Sequence, residues 1–95
     1  MKKIQGKKYE KIAAIFKLMS NAKRLQILDS IKDREVTVNE LSKMLGTRKS
    51  NTSQHLAYLR YTGLVTTRRQ GKNVFYKLAN PKIIDSFDVI GKLKE

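Results

Sequence analysis

The N-terminal third of the chain carries two runs of apolar residues at helical spacing. Between Tyr9 and Met19, apolar side chains recur every three or four positions with lysines among them, which predicts an amphipathic helix. Asn21 is a favourable N-cap for a second helix, from Ala22 to about Lys32. Lys23 and Arg24 fall in the first turn of that helix, where cations oppose the helix dipole. An anionic partner would offset this local cost.

The next stretch, from Thr37 to Val65, predicts two helices joined by a tight turn. Thr37 and Glu40 have the spacing of a capping box, and Gly46 suits the left-handed conformation that ends many helices. The second helix of the pair runs from about Lys49 to Tyr61. Two short helices separated by two or three residues have the spacing of a helix-turn-helix, which we predict at about residues 37–62.

The helix from Lys49 to Tyr61 has two chemically distinct faces when its residues are placed at 100° intervals. One face is expected to pack and contains Thr52, Leu56 and Leu59. The other contains Ser50, Ser53, Gln54, Ala57 and Tyr61. Uncharged side chains that donate and accept hydrogen bonds suit the edges of base pairs in a major groove. The residues predicted to read bases are Ser50, Asn51, Ser53 and Gln54, with Gln54 the best candidate for a bidentate contact to adenine.

His55 points toward the flank of the same helix, about 140° from Ser50. A packed or hydrogen-bonded histidine is the expected state, in preference to a base reader or a metal ligand.

After Leu64 the period of alternation changes from 3.6 to 2, which predicts a β-hairpin at about residues 65–78 with a tip from Gln70 to Asn73. The segment from Val36 to Val38 is expected to add a short strand. A hairpin with a cationic tip directly after a reading helix is typical of a wing, and the alternative is an ordinary solvated hairpin. The residues predicted to contact the DNA backbone are Arg48, Lys49, Arg60, Arg68, Arg69 and Lys72.

The C-terminal segment predicts a fifth helix at about residues 81–93, with Asn80 as its N-cap and Pro81 at its first position. Its apolar surface exceeds what a terminal helix on a small monomer needs, so we expect a subunit interface shared with the first helix. The predicted interface residues are Ile12, Ile15, Phe16, Ile83, Ile84, Phe87 and Ile90. The expected fold is mainly α with a small β-hairpin, in the order α-α-α-α-β-β-α. We expect residues 1–95 to form one winged helix-turn-helix domain that dimerises through its first and last helices.

Charge and composition narrow the classes of partner. The 95 residues include 21 Lys and Arg against 8 Asp and Glu, a formal charge of +13. Such a chain attracts nucleic acid or an anionic membrane. No apolar run approaches the roughly 18 residues of a spanning helix, and Lys17 interrupts the only signal-like run. We therefore expect a cytoplasmic, nucleoid-associated protein that binds double-stranded DNA and no membrane.

Residue usage disfavours catalysis. The chain has no cysteine and a single histidine, which excludes disulfides, thiolate metal sites and cysteine nucleophiles. It has no glycine-rich phosphate loop. The expectation is a protein that is not an enzyme and needs no cofactor.

Three motifs resemble those of the ArsR/SmtB family of winged helix-turn-helix regulators. They are Met19–Leu28 at the entry to the second helix, Leu45–Val65 around the reading helix, and Arg69–Leu78 in the wing. The resemblance extends from about Tyr9 to Leu93 and, within the family, is to the metal-independent HlyU-like branch. It implies a homodimeric transcriptional regulator, usually a repressor, that leaves its operator when an effector binds. It also implies that Lys49, Ser50, Ser53 and Gln54 approach the DNA.

The chain departs from the family pattern at several positions. Arg48 stands where the family usually has a small hydroxyl N-cap, so the cap is expected to shift to Thr47. Thr52 replaces an apolar residue. Thr37 and Asn39 occupy the positions where many members hold metal through thiolates.

On the terminal helix, where other members use histidine and carboxylates, this chain offers Asp85 and Asp88. Two carboxylates three residues apart on a helix are more often a solvated face than a zinc site. No metal site is therefore predicted, and the sequence assigns no effector.

The mechanism expected is that two reading helices of a dimer enter successive major grooves of an inverted-repeat operator. Two alternatives belong to other classes. An architectural DNA-binding protein without effector control would discriminate little between operator and random DNA. A winged-helix protein-interaction module would carry apolar anchors where this chain has serine and glutamine.

Overall fold

The structure, a computed structural model, describes residues 6–93. Its helices and strands, in chain order, are α1 (Gly6–Met19), α2 (Ala22–Ser30), α3 (Val38–Leu45), α4 (Lys49–Tyr61), β1 (Val65–Gln70), β2 (Asn73–Leu78) and α5 (Asp85–Gly91). The predicted order of five helices with one hairpin is confirmed. Residues 1–5 and 94–95, which belong to the predicted domain of residues 1–95, lie outside the described residues.

The first two helices differ from their predicted bounds. Helix α1 spans Gly6–Met19 and so includes three residues before the first periodic apolar residue, Tyr9. Helix α2 ends at Ser30 rather than near Lys32. The amide of Ile31 is shared between the carbonyls of Ile27 and Leu28, at 3.2 and 3.3 Å, which tightens the last turn and stops the helix.

The ends of α3 match the sequence prediction. The hydroxyl of Thr37 accepts a hydrogen bond from the amide of Glu40 at 3.2 Å, and the Glu40 carboxylate accepts one from the amide of Thr37 at 3.0 Å. Gly46 adopts φ 64°, a left-handed conformation in which a side chain would be strained. The capping box and the glycine stop are therefore both confirmed.

The N-terminus of α4 corrects one prediction. Arg48, not Thr47, is the N-cap residue, and no side chain of residues 6–93 caps this end. Because the carbonyl of Arg48 accepts the first bond of α4, from the amide of Thr52 at 3.0 Å, Thr47 lies one position outside the helix. Its hydroxyl instead lies 2.7 Å from the hydroxyl of Thr52. Thr52 is only 2 % exposed, so this bond satisfies a buried polar group within the packed face of α4.

Strands β1 and β2 pair antiparallel with Val65 opposite Leu78 and Gln70 opposite Asn73. The tip is therefore shorter than predicted, because Gln70 and Asn73 belong to the ladder and only Gly71 and Lys72 form the loop. Gly71 adopts φ 62°, as the first position of a type II′ turn requires.

The short strand expected from Val36 to Val38 is a single bridge pair. Val36 exchanges two backbone hydrogen bonds with Tyr76, at 3.0 and 2.7 Å. The pairing stops there because Thr37 is already committed to capping α3.

The C-terminal segment is less regular than the predicted helix of residues 81–93. A 3₁₀ turn spans Pro81–Ile84, and α5 follows from Asp85 to Gly91. The Asn80 side chain accepts a hydrogen bond from the amide of Lys82 at 3.0 Å, which confirms its role as a cap. The backbone bond from Ile83 back to Asn80 sets the tighter 3₁₀ winding.

The core lies between α2, α3, α4 and the base of the hairpin. It consists of Ile27, Leu28, Ile31, Val36, Leu41, Leu56, Leu59, Leu64, Val65 and Leu78. Helix α1 contributes no fully buried residue and rests on this core through Ile15 and Met19. The core therefore holds α4 firmly on one side and leaves α1 and α5 at the periphery.

Candidate nucleic-acid interface

Helix α4 presents one packed face and one open face. Thr52, Leu56 and Leu59 are at most 2 % exposed, whereas Tyr61 is 89 % exposed. The predicted base-reading residues Ser50, Asn51, Ser53 and Gln54 are all exposed. Its 13 residues give a rod of roughly 20 Å. The predicted division of this helix into two faces is confirmed, and the hydrogen-bonding side chains lie on the face that is open to solvent.

All six predicted backbone contacts are exposed cations close to α4 or on the wing, and five of them lack a carboxylate partner in the described part of the chain. Arg48 and Lys49 stand at the N-terminus of α4, where backbone amides are open to an anion. Arg60 lies in its last turn, Arg69 on β1 and Lys72 in the hairpin loop. Among residues 6–93 these five cations form no ion pair with a carboxylate, so their charge is available to a partner.

Arg68, the sixth predicted contact, is held by neighbours. Its Nε donates to Oε2 of Glu35 at 2.7 Å, and its Nη1 donates to Oε1 of Gln70 at 2.8 Å. The guanidinium also lies over the ring of Phe75, 4.7 Å from the centroid. The ladder register places Arg68 opposite Phe75 and Arg69 opposite Val74, so these neighbouring arginines point to opposite faces of the hairpin. Sequence reasoning missed Glu35, because it lies 33 positions from its partner.

His55 is half-buried and hydrogen-bonded, as predicted. The Nε of Arg24 donates to its Nδ1 at 3.2 Å. Partial burial and the neighbouring cations Arg24 and Lys23 lower the pKa of the imidazole below its ordinary value. The ring is therefore neutral at physiological pH, with Nδ1 as the acceptor.

Arg24, a cation in the first turn of α2, makes its contacts within the fold. Besides the bond to His55, its Nη1 donates to the backbone carbonyl of Leu18 at 3.1 Å. Its guanidinium also lies 4.6 Å from the ring centroid of Tyr58. These contacts within the fold stabilise the guanidinium, so at Arg24 the local cost is offset without an anionic partner.

Helices α1 and α5 expose an apolar surface. Phe16 is 58 % exposed, Ile90 53 % and Ile12 38 %. Phe16, Met19, Leu25, Phe87 and Ile90 line an apolar groove of about 450 Å³ between α1, α2 and α5. The other predicted interface residues, Ile15, Ile83, Ile84 and Phe87, are half-buried against the core.

Two further sequence expectations concern metal and membrane. Within residues 6–93, no three side chains of histidine, cysteine, aspartate or glutamate form a cluster suited to a metal ion, and Asp85 and Asp88 are exposed. Over the same residues, no helix is long and apolar enough to cross a bilayer.

Comparison with known proteins places this architecture in a family. Residues 21–67, which include the helix-turn-helix, match the family model described as bacterial regulatory protein, arsR family. The chain is 43 % identical over 72 residues to the HTH-type transcriptional regulator KmtR of Mycobacterium tuberculosis, covering 76 % of this chain and 55 % of KmtR. It is 41 % identical over 83 residues to the transcriptional activator HlyU of Vibrio cholerae, covering 87 % of this chain and 77 % of HlyU. The chain thus spans only about half of KmtR.

Solved structures agree with this placement. The structure of Vibrio cholerae HlyU aligns with a TM-score of 0.80 and 39 % identity, over 95 % of this chain and 98 % of that one. The homodimeric winged helix-turn-helix DNA-binding domain (fragment 1–100) from Mycobacterium bovis aligns with a TM-score of 0.79 and 28 % identity, over 96 % of this chain and 87 % of that one. In both sequence and structure, the chain belongs to the ArsR family of bacterial regulatory proteins.

Proposed function

We propose that this chain is a sequence-specific, homodimeric DNA-binding repressor that recognises an inverted-repeat operator. The observation that carries the proposal is the open face of α4. Ser50, Asn51, Ser53 and Gln54 are exposed there, while the opposite face is fixed in the core by Leu56 and Leu59. A rigid helix that presents uncharged hydrogen-bonding groups suits direct readout in the major groove.

The exposed cations supply the second part of the proposal. Arg48, Lys49, Arg60, Arg69 and Lys72 contact phosphates and provide most of the affinity, which therefore depends steeply on salt. Arg68 joins them once its bond to Glu35 is released. Because the net charge is +13, nonspecific binding to any duplex is expected alongside specific binding.

Dimerisation rests on the apolar surface of α1 and α5. Phe16 and Ile90 are large apolar side chains with more than half of their surface exposed. A second copy of the chain would cover this surface and relate the two α4 helices by a twofold axis, which matches an inverted repeat. Phe16→Glu would introduce charge into that interface, and we expect the protein to become monomeric in analytical ultracentrifugation. Lys17→Gln, which lowers the net charge by the same one unit at the neighbouring exposed position, is the control.

Control by a metal-thiolate or thiol-redox sensor is not part of the proposal, because the chain has no cysteine. The related HlyU is named an activator, so the direction of regulation is tested separately. A reporter gene placed behind an operator sequence that the protein binds should give less transcript when the protein is present.

Selection of bound sequences from a random duplex pool by the purified protein tests the proposed function. An inverted repeat whose half-sites lie about one helical turn apart is the expected result. Enrichment of no sequence would favour the architectural alternative, in which charge alone drives binding.

A further inference from the structure

The side chain of Arg24 connects its own helix, α2, to both α1 and α4. It projects from α2, donates to the carbonyl of Leu18 in α1 at 3.1 Å, and donates to His55 in α4 at 3.2 Å. Its guanidinium also covers the ring of Tyr58, one helical turn beyond His55 on α4. Arg24 therefore contacts α4 at two points along the helix, and together these contacts restrain both the position and the rotation of α4.

We infer that Arg24 is a positioning residue for DNA reading, which holds the rotation of α4 relative to α1 through its bond to His55. The inference rests on the proposed function, because it concerns how the reading face is aimed. A base-reading hydrogen bond tolerates displacements of only about 0.5 Å. His55 directly follows Gln54 in the chain, so a rotation of α4 that breaks the bond to Arg24 also moves the Gln54 amide.

The chemistry of the pair makes it sensitive to protonation. Nδ1 of His55 accepts the bond from Arg24, so a proton on that nitrogen removes the acceptor and places a cation against the guanidinium. The charged groups that act on His55 are Arg24 and Lys23, both cations on α2. Protonation therefore replaces an attraction between α2 and α4 with a repulsion, while the hydrogen bond to Leu18 in α1 is unaffected.

The test compares binding of the full chain to the selected operator and to a scrambled duplex. Arg24→Lys keeps the charge but cannot donate to His55 and Leu18 in the same geometry. We expect it to lower the ratio of specific to nonspecific affinity by about 3- to 10-fold, with nonspecific affinity unchanged. Lys23→Arg, an exchange of cations one position away, is the matched control and should leave the ratio unchanged.

His55→Asn and His55→Ala distinguish the role of the hydrogen-bond acceptor at residue 55 from the role of its protonation. The asparagine side chain keeps an acceptor oxygen near the place of Nδ1 and does not titrate, whereas alanine provides none. From pH about 7.5 down to about 5, the ratio should fall for the wild type and stay level for His55→Asn. At the upper pH, His55→Ala should lower the ratio in the same direction as Arg24→Lys, and the double variant should lose less than the sum of the two, because both changes break the bond between these two side chains.

Thermal unfolding of each variant separates positioning from general support of the fold. The inference is overturned if Arg24→Lys leaves the affinity ratio unchanged, whether or not the unfolding temperature falls, or if His55→Asn shows the wild-type pH profile. Equal binding of operator and scrambled duplexes by the wild type would instead overturn the proposed function, and the inference with it.

Discussion

The ion pair between Glu35 and Arg68 connects the segment before α3 to the wing. We predict that neutralising Glu35 raises the affinity for DNA. The two side chains meet at 2.7 Å and are 34 % and 51 % exposed. Ion pairs in such partly solvated settings contribute about 0.2–1 kcal/mol. For Arg68 to contact a phosphate, it must release or share that carboxylate, so the same energy is lost on binding.

Glu35→Gln removes the competing charge but keeps an acceptor for the Nε of Arg68. The operator affinity should therefore rise by about 1.4- to 5-fold per subunit, the range that corresponds to 0.2–1 kcal/mol at about 1.4 kcal/mol per tenfold change. The free energy of unfolding should fall by less than about 1 kcal/mol. The stacking of Arg68 on Phe75 at 4.7 Å does not involve Glu35 and should persist.

The assay is a fluorescence anisotropy titration of operator duplex between about 50 and 200 mM salt, where phosphate contacts dominate the salt dependence. Asp29→Asn is the matched control, because Asp29, on α2, pairs with Lys32 at 3.9 Å and its substitution makes the same change of charge. Arg68→Ala should flatten the salt slope by about 1 unit per subunit. An affinity for Glu35→Gln no higher than that of Asp29→Asn would refute the competition between Glu35 and phosphate.

Four further changes test other parts of the structure. Gln54→Ala should relax sequence preference while nonspecific binding persists, and an equal loss on operator and random duplexes would show that Gln54 is an anchor instead. Thr37→Ala removes one half of the capping box and should cost about 1 kcal/mol in urea unfolding, whereas an unchanged midpoint would show that packing alone fixes α3. Ser42→Ala should be neutral or stabilising, since its hydroxyl is buried without a partner among residues 6–93; a clear loss of stability would point to a hydrogen bond to water. Because the folded pKa of His55 lies below the unfolded value of about 6.5, the unfolded state binds more protons just below that pH. The free energy of unfolding should therefore fall as the pH drops from about 6.5 toward the folded pKa. If His55→Asn has the same dependence of unfolding free energy on pH as the wild type, His55 is not the group responsible.

Much of the fold could be predicted because its signals are local. The Thr37–Glu40 capping box joins groups three residues apart. The two faces of α4 follow from a period of 3.6 residues, and the hairpin from a period of 2. The prediction of the N-cap of α4 was wrong because the hydroxyl of Thr47 has two possible partners. It could cap α4 or bond to Thr52, and in the structure it bonds to Thr52.

The sequence by itself determined the class of the protein, because charge, helical period and caps depend on composition and on neighbours within one turn. Only the tertiary structure decided which cations are free. Arg24 and His55 are 31 positions apart, and Glu35 and Arg68 are 33 apart. No periodicity reports such pairs, since they exist only because α2 packs against α4 and the segment before α3 lies beside β2. Packing thus assigns the half-buried Arg24 to partners within the fold and Arg68 to a carboxylate. It leaves open to a polyanion the cations Arg48, Lys49, Arg60, Arg69 and Lys72.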